Sequence, residues 1–177
     1  NAFPILVPEH GGPSPNLRQG LSALQQEQAV IETRLPMVPL FTGANRIDRV
    51  THDSPARRLT VLTAGKAWLD VCQALADLGL DDSQCRALGL RVVKLGLVWP
   101  MDASFAYETI GGSAEVLVVE EKRAFIEDQL ARLFYGRADA PALSGKTTPD
   151  GKSLLSEINV LDASKVRRAL VQRLTAL

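Results

Sequence analysis

The residues best suited to chemistry in this 177-residue chain fall in four places. Ser144-Gly145-Lys146-Thr147 has the ending of a phosphate-binding P-loop. Such a loop needs a glycine five residues before its Gly-Lys pair, so that backbone N–H groups can curl round the phosphates. Ala140 stands there, followed by Pro141, which has no N–H to offer, so nucleotide triphosphate binding is not expected. Ala64-Gly65-Lys66 follows a compact apolar run but lacks the G-x-G-x-x-G of a dinucleotide site. A helix starting at that turn offers its N-terminus to an anion, with Lys66 and, at the next strand end, Gly96 as candidate contacts. Glu120-Glu121-Lys122-Arg123 closes the most apolar run of the chain. Glu120, Glu121 and Arg123 are candidates there, either as carboxylates perturbing each other or as charges that pair locally or with a partner domain. The last set is two cysteines and two histidines. Cys72 lies on an apolar helical stripe and is expected in the core. Cys85, beside Asp82 and Arg86, is expected to be more exposed, and neither is expected to be catalytic. His10 and His52 stand apart in loop-like stretches and are expected to be solvated rather than metal ligands. The site assignment is therefore no catalytic residue and no metal ligand, with Gly65, Lys66, Gly96, Glu120, Glu121 and Arg123 as contact candidates.

These residues must be held by elements legible in the hydrophobic pattern. From Leu59 to the end, apolar runs alternate with helical stripes. Leu59-Thr60-Val61-Leu62-Thr63 reads as a strand. The helix after it carries Trp68, Val71, Cys72, Leu75 and Leu78 inward and stops at Gly79. Residues 90–98 read as a second strand ending at Trp99-Pro100. Asp102 or Ser104 then caps a helix through Phe105, Ala106 and Ile110, broken by Gly111-Gly112. Glu115-Val116-Leu117-Val118-Val119-Glu120 reads as a strand covered on both faces. A helix turns Phe125, Ile126, Leu130, Leu133 and Phe134 inward, and Tyr135-Gly136 closes it. Residues 142–145 form a short strand, and a helix from Asp162 buries Val166, Ala169, Leu170, Leu174 and Leu177. This alternation predicts an α/β sheet with helices on both faces.

Residues 3–58 differ in character. Phe3-Pro4-Ile5-Leu6-Val7-Pro8 reads as an edge strand or extended arm. Gly11-Gly12-Pro13-Ser14-Pro15 is a loop. Leu17, Leu21, Leu24, Ile31 and Leu35 mark an amphipathic helix that Pro36 should end or kink. The stripe is too short for a coiled coil, so it is expected to pack on this or a neighbouring domain. Ile47-Asp48-Arg49-Val50-Thr51 reads as a further short strand. The expected division is residues 1–46 as an arm with linker helices and residues 47–177 as the α/β domain.

Composition limits the function. With 46% hydrophobic residues and 20 basic against 20 acidic ones, the net charge is zero, and neither nucleic acid nor a membrane surface is an expected partner. No apolar run is long enough to span a bilayer and no signal peptide is evident, so the expected location is cytoplasmic. Two cysteines cannot supply the four thiolates usual for an iron–sulfur cluster. The chain opens on Asn1-Ala2, which reads as a tag scar, and an excised piece of a longer protein is expected.

Several segments carry a resemblance. Thr63-Ala64-Gly65-Lys66-Ala67-Trp68-Leu69-Asp70-Val71 resembles the TSGKSYLDV-like turn of indolepyruvate ferredoxin oxidoreductases. Residues 94–101, KLGLVWPM, are similar to their K-x-G-x-x-W/Y-P-L stretch. LVVEEKR at 117–123, IEDQL at 126–130 and Gly145-Lys146 follow in the family's order, and Leu35-Pro36 and ANRIDRV at 44–50 resemble the long fused bacterial form. The resemblance implies a transketolase C-terminal-like domain: a three-layer αβα sandwich on a five-stranded, mostly parallel mixed sheet of order 1-3-2-4-5, with residues 47–51 as its antiparallel first strand. It implies a parent enzyme that oxidatively decarboxylates arylpyruvates such as indolepyruvate to acyl-CoA, using thiamine diphosphate and iron–sulfur clusters and passing electrons to ferredoxin. It implies the other parent domains as partners and a homodimer in the parent. The GDG…NN thiamine diphosphate signature is absent, since Asp150-Gly151 has no such partner, and so are cluster cysteines. The piece is therefore expected to hold no cofactor, to be inactive alone and to serve as a structural and interface domain. Two alternatives stand beside this: a stand-alone anion- or CoA-binding α/β module, and a β-subunit domain of another ketoacid dehydrogenase, against which the LVVEEKR and IEDQL runs argue.

Overall fold

The computed structural model describes residues 4–9 and 11–177, so His10 and the start of the arm, including Phe3, lie outside the described residues. Five strands form one sheet in the order β1-β3-β2-β4-β5: β1 Arg49–His52, β2 Leu59–Ala64, β3 Leu90–Leu95, β4 Glu115–Val119 and β5 Ala142–Ser144. The β2–β3, β2–β4 and β4–β5 pairs are parallel, and β1 runs antiparallel to β3 with a bulge between Val50 and His52. This is the mixed sheet and strand order that the resemblance implied. The central strands are continuous aliphatic runs because both faces are covered. On one face Leu59, Val61, Val92, Leu117 and Val119 pack against α3 (Gly65–Asp77), α4 (Asp82–Leu88) and α7 (Ala163–Ala176). On the other face Leu62, Val93, Leu95, Val116 and Val118 pack against α5 (Ala103–Ile110) and α6 (Phe125–Phe134). The result is three layers.

Helix starts follow from local chemistry. Asp102, not Ser104, caps α5 by accepting from the Phe105 N–H. Asp162 caps α7 through the Lys165 N–H, and its carboxyl is held well below the usual range by Ser164, the Lys165 N–H and the Lys165 side chain. A buried ion pair locks α7 onto the sheet: Arg173 meets both oxygens of Glu115 at 2.6 and 2.7 Å, and Ser144 donates to the same carboxylate at 2.6 Å.

Several expectations are corrected. Helix α4 was not expected; Asp81 and Gln84 make a reciprocal capping box at its start, and left-handed Gly89 ends it. Strand β3 stops at Leu95 rather than continuing to Val98, because the Gly96 and Leu97 N–H groups turn to the Asp48 carboxylate. The cysteines exchange roles: Cys85 is fully buried beneath α4, whereas Cys72 is half-buried on the flank of α3. Phe125 and Leu177 were expected inward and are 51% and 40% exposed, the first opening α6 and the second closing α7.

The arm departs most. Leu17 and Leu21 precede any helix. Ser22 builds a capping box with Gln25, and α1 spans Ala23–Ala29. A π-helical stretch, Val30–Arg34, leads directly into α2, Leu35–Ala44, so Pro36 neither ends nor breaks the helix. The Leu35 N–H reaches back five residues to the Val30 carbonyl, and this wider turn relieves the clash between a proline ring and the carbonyl four residues earlier. Asn45 ties the arm's beginning to its end through the Leu6 backbone, at 2.7 and 2.8 Å. Leu17, Leu24 and Ile31 remain exposed, so the arm's stripe is not packed on the α/β body. Among the described residues no helix is long and apolar enough to cross a membrane.

Candidate functional site

Chain order places the crevice. From β2 the chain moves to β3 on one side, then crosses to β4 on the other. In open α/β sheets ligands gather at such a reversal, beyond the carboxyl ends of the two diverging strands. Here those ends carry Gly65-Lys66 after β2 and Glu120-Glu121 after β4. Gly65, at φ 53°, makes the left-handed step that starts α3 directly from the strand. Gly96 follows β3 in register, since Leu95 pairs with Ala64.

The structure brings Lys66 and Glu121 together at 3.6 Å. Lys66 also meets Asp70 at 2.8 Å and donates to the Leu161 carbonyl. The Asp70 hydrogen bond pushes its ammonium pKa up; desolvation opposes this, and the Asp70 and Glu121 charges add to the rise. Lys66 is thus already surrounded by acceptors. Lys122, in a left-handed turn, donates to the Asn159 carbonyl at 3.0 Å. Residues 159–161 are therefore strapped across this edge by two lysines, and no sequence signal placed them there.

Glu120 has a different task. Its carboxylate is buried and accepts from the Phe125, Ile126 and Glu127 N–H groups at 3.1, 2.8 and 3.0 Å, capping α6 from a residue outside the helix. An anion at a helix N-terminus meets both the orphan donors and the positive end of the dipole. Arg123 is exposed, and its guanidinium has no hydrogen bond or ion pair among the described residues.

Gly96 packs rather than binds. A Cβ there would lie 2.5 Å from Ile47 Cγ2 and 2.6 Å from the Ile47 carbonyl oxygen. Its N–H donates to Asp48 Oδ1 at 2.7 Å. Asp48 lines an open groove of about 460 Å³ with Thr42, Arg46, Asp102 and Phe105. Burial raises its carboxyl pKa, the Gly96 and Leu97 N–H groups oppose that, and the Asp102 charge adds to it.

The Gly145-Lys146 pair is built into the fold. Lys146 Nζ donates to the Glu120 carbonyl at 2.7 Å, and its N–H donates to Glu127 at 2.9 Å. Glu127 also fills the space beside Gly145, where a Cβ would meet its carboxylate at 2.2 Å. Asp150 of the Asp150-Gly151 pair is held at about 2 by Lys152 and Thr148 in a tight turn. His52 ends β1 and faces Asp82 at 3.4 Å. Among the described residues, no three His, Cys, Asp or Glu groups come together as a metal site.

The αβα unit with this strand order has the fold of transketolase-type domains. A split-gene transketolase, solved as an inactive β4 tetramer, superposes with TM-score 0.51 at 16% identity over 72% of this chain and 41% of that one. The 2-oxoglutarate:ferredoxin oxidoreductase of Magnetococcus marinus superposes with TM-score 0.51 at 13% identity, over 86% of this chain and 24% of that one. At such identities the likeness is one of fold. Residues 49–177 match the profile of the indolepyruvate oxidoreductase domain, and the chain belongs to that family. The subunit IorA of indolepyruvate oxidoreductase from Methanothermobacter marburgensis is 30% identical over 126 residues, which is 71% of this chain and 18% of that protein. The chain thus spans less than a fifth of that relative's length.

Proposed function

We propose that this chain is a non-catalytic support and interface domain of a larger, thiamine-diphosphate-dependent arylpyruvate:ferredoxin oxidoreductase, one that oxidatively decarboxylates indolepyruvate to acyl-CoA. The carrying observation is the match to under a fifth of an indolepyruvate oxidoreductase subunit. Its cofactors, thiamine diphosphate and iron–sulfur clusters, belong to other parts of that enzyme, as do its dealings with CoA and ferredoxin. The parent is a cytoplasmic homodimer. Residues 47–177 form the α/β domain, and residues 1–46 form an arm that lies against neighbouring domains of the parent.

The residues present do not fit those cofactors. Cys72 and Cys85 sit on two separate helices, one of them fully buried, where a cluster needs four thiolates. Asp150 is paired with Lys152 at 2.7 Å and bonded by the Thr148 hydroxyl in a tight turn of its own. At the switch point Lys66, Lys146 and Glu120 hold carbonyls, carboxylates and helix ends of the fold itself. That commitment supports a role as scaffold. Exposed Leu17, Leu24 and Ile31 on the arm support a covering partner, because a helix of this length is marginal without tertiary packing.

Calorimetric titration of the chain with thiamine diphosphate and magnesium tests the reading. No heat of binding is expected, and tight binding overturns it. In the full-length enzyme, deleting the arm is expected to lower subunit association while leaving the iron–sulfur absorbance per folded protomer unchanged.

A further inference from the structure

Beside the switch point, the antiparallel edge of the sheet gathers positive charge that no carboxylate among the described residues neutralises. Arg49 on β1 stands directly opposite Lys94 on β3. Side chains directly opposite on paired strands share one face. Lys94 lies 4.1 Å from the centroid of the Trp68 ring, so that face is the one carrying α3. Among the described residues neither cation has a carboxylate partner. Arg49 Nε donates to the Arg46 carbonyl at 3.2 Å, and the contact of Lys94 is the indole. Asp48, next to Arg49 in the chain, is engaged by the Gly96 and Leu97 N–H groups. Trp68 Nε1 is buried with no acceptor.

Folding alone gives no reason for this set. Like charges directly opposite across a strand pair destabilise it, and a buried donor left unpaired costs about 1–3 kcal/mol. The lysines at the neighbouring strand ends, Lys66, Lys122 and Lys146, each reach an acceptor. Two cations on one face that both lack a negatively charged oxygen define what is missing. We propose that Arg49 and Lys94, the latter seated over the Trp68 indole, form an oxyanion-binding site for the carboxylate or phosphate group of a small molecule, at the carboxyl end of β3 against the first turns of α3. An oxyanion there bridges the two cations, converting their repulsion into two charge-assisted contacts. Cys72, one turn along α3 from Trp68, reports on the site, because the Lys94 charge pulls its thiol pKa down against the larger upward effect of burial. The site is independent of the proposed parent reaction.

The test uses the whole chain carrying Trp99→Phe, which leaves Trp68 as its single tryptophan. Sodium phosphate and, separately, sodium acetate are titrated at constant ionic strength set with sodium chloride. Trp68 emission is recorded, together with the rate at which an uncharged reagent modifies Cys72. Saturation with a Kd on the order of 1 mM is expected, with a slower Cys72 reaction as the anion masks Lys94. Saturation by phosphate alone identifies a phosphate ligand, and saturation by acetate identifies a carboxylate. Arg49→Gln and Lys94→Gln are each expected to weaken binding about tenfold or more, and Arg49→Lys to retain most of it. Arg49 is exposed, so its variants keep the fold and hold the test open if Lys94→Gln unfolds. Absence of saturation by either anion, or equal saturation in wild type and Arg49→Gln, overturns the proposal.

Discussion

Replacing Arg173 with Met tests whether the end of α7 is held by charge or by shape. Glu115 is 2% exposed and Arg173 12%, and the two meet through paired bonds at 2.6 and 2.7 Å. Met keeps the aliphatic length of the side chain and removes the guanidinium. Glu115 is then left with the Ser144 hydroxyl at 2.6 Å and the cost of a buried, uncompensated charge. Breaking a buried pair from one side costs about 3–5 kcal/mol. For a domain of this size each kcal/mol moves Tm by roughly 2–4 °C, so a fall of about 6–20 °C is expected. Replacing both partners, Glu115→Leu with Arg173→Met, removes the unpaired charge along with the bridge. The double variant is therefore expected to recover at least half of the loss. Denaturant unfolding followed by circular dichroism measures both, with an unchanged m-value marking an intact two-state transition. A loss below about 1 kcal/mol in Arg173→Met, or a double variant less stable than the single one, would refute the reasoning, since either means the pair is solvated and the helix is held by Val166, Ala169 and Leu170 alone.

Three further outcomes follow from the strand ends. Glu120→Ala strips α6 of the acceptor for three backbone N–H groups and is expected to cost about 2–3 kcal/mol, with hydrogen-exchange protection lost at Phe125, Ile126 and Glu127. Gly96→Ala drives a methyl group into Ile47 and is expected to destabilise by about 1–3 kcal/mol in thermal melts; adding Ile47→Ala relieves the Cγ2 contact but not the carbonyl one, so rescue is partial. Asp48→Asn keeps an oxygen for the Gly96 and Leu97 N–H groups and removes the burial cost of the charge. Because the folded pKa of Asp48 lies above its unfolded value of about 3.9, wild-type stability falls as pH rises from that value through the folded one. The Asn variant is therefore expected to melt higher than wild type at pH 7 and to lose that advantage below about pH 3.9; an equal difference at both pH values removes the argument.

Much of this architecture was legible because its signals are local. An aliphatic run such as residues 115–119 has one stable use, a strand buried on both faces, and stripes at helical spacing beside it require covering helices. Asp102 and Asp162 announced helix starts because a cap needs only its own side chain and the N–H three residues on. The same kind of signal marked α4, where Asp81 and Gln84 form a capping box, but so short a helix has too little stripe to stand out. In the arm the chain answers Pro36 without ending the helix: proline forbids the regular helical turn before it, and the chain meets that rule by widening the turn rather than by stopping.

The contact residues show where sequence reading ends. Spacing alone brought Gly65, Lys66, Gly96, Glu120, Glu121 and Arg123 to the carboxyl edge, because strand ends are fixed by local pattern. It could not say which charges are free. Lys66 meets a carbonyl 95 residues away, Lys146 one 26 residues away, and Glu120 a helix start five to seven residues on. Arg49 and Lys94, 45 positions apart, became neighbours only through antiparallel register. Likewise, stripe position suggested a core Cys72 and charged neighbours an exposed Cys85, and packing reversed them. Local sequence determined the elements and their order, because propensity, caps and periodicity act over a few residues. Only the tertiary structure decided which charges are satisfied, because the partner of a charged group is set by register and crossover, distances along the chain over which no local pattern reaches.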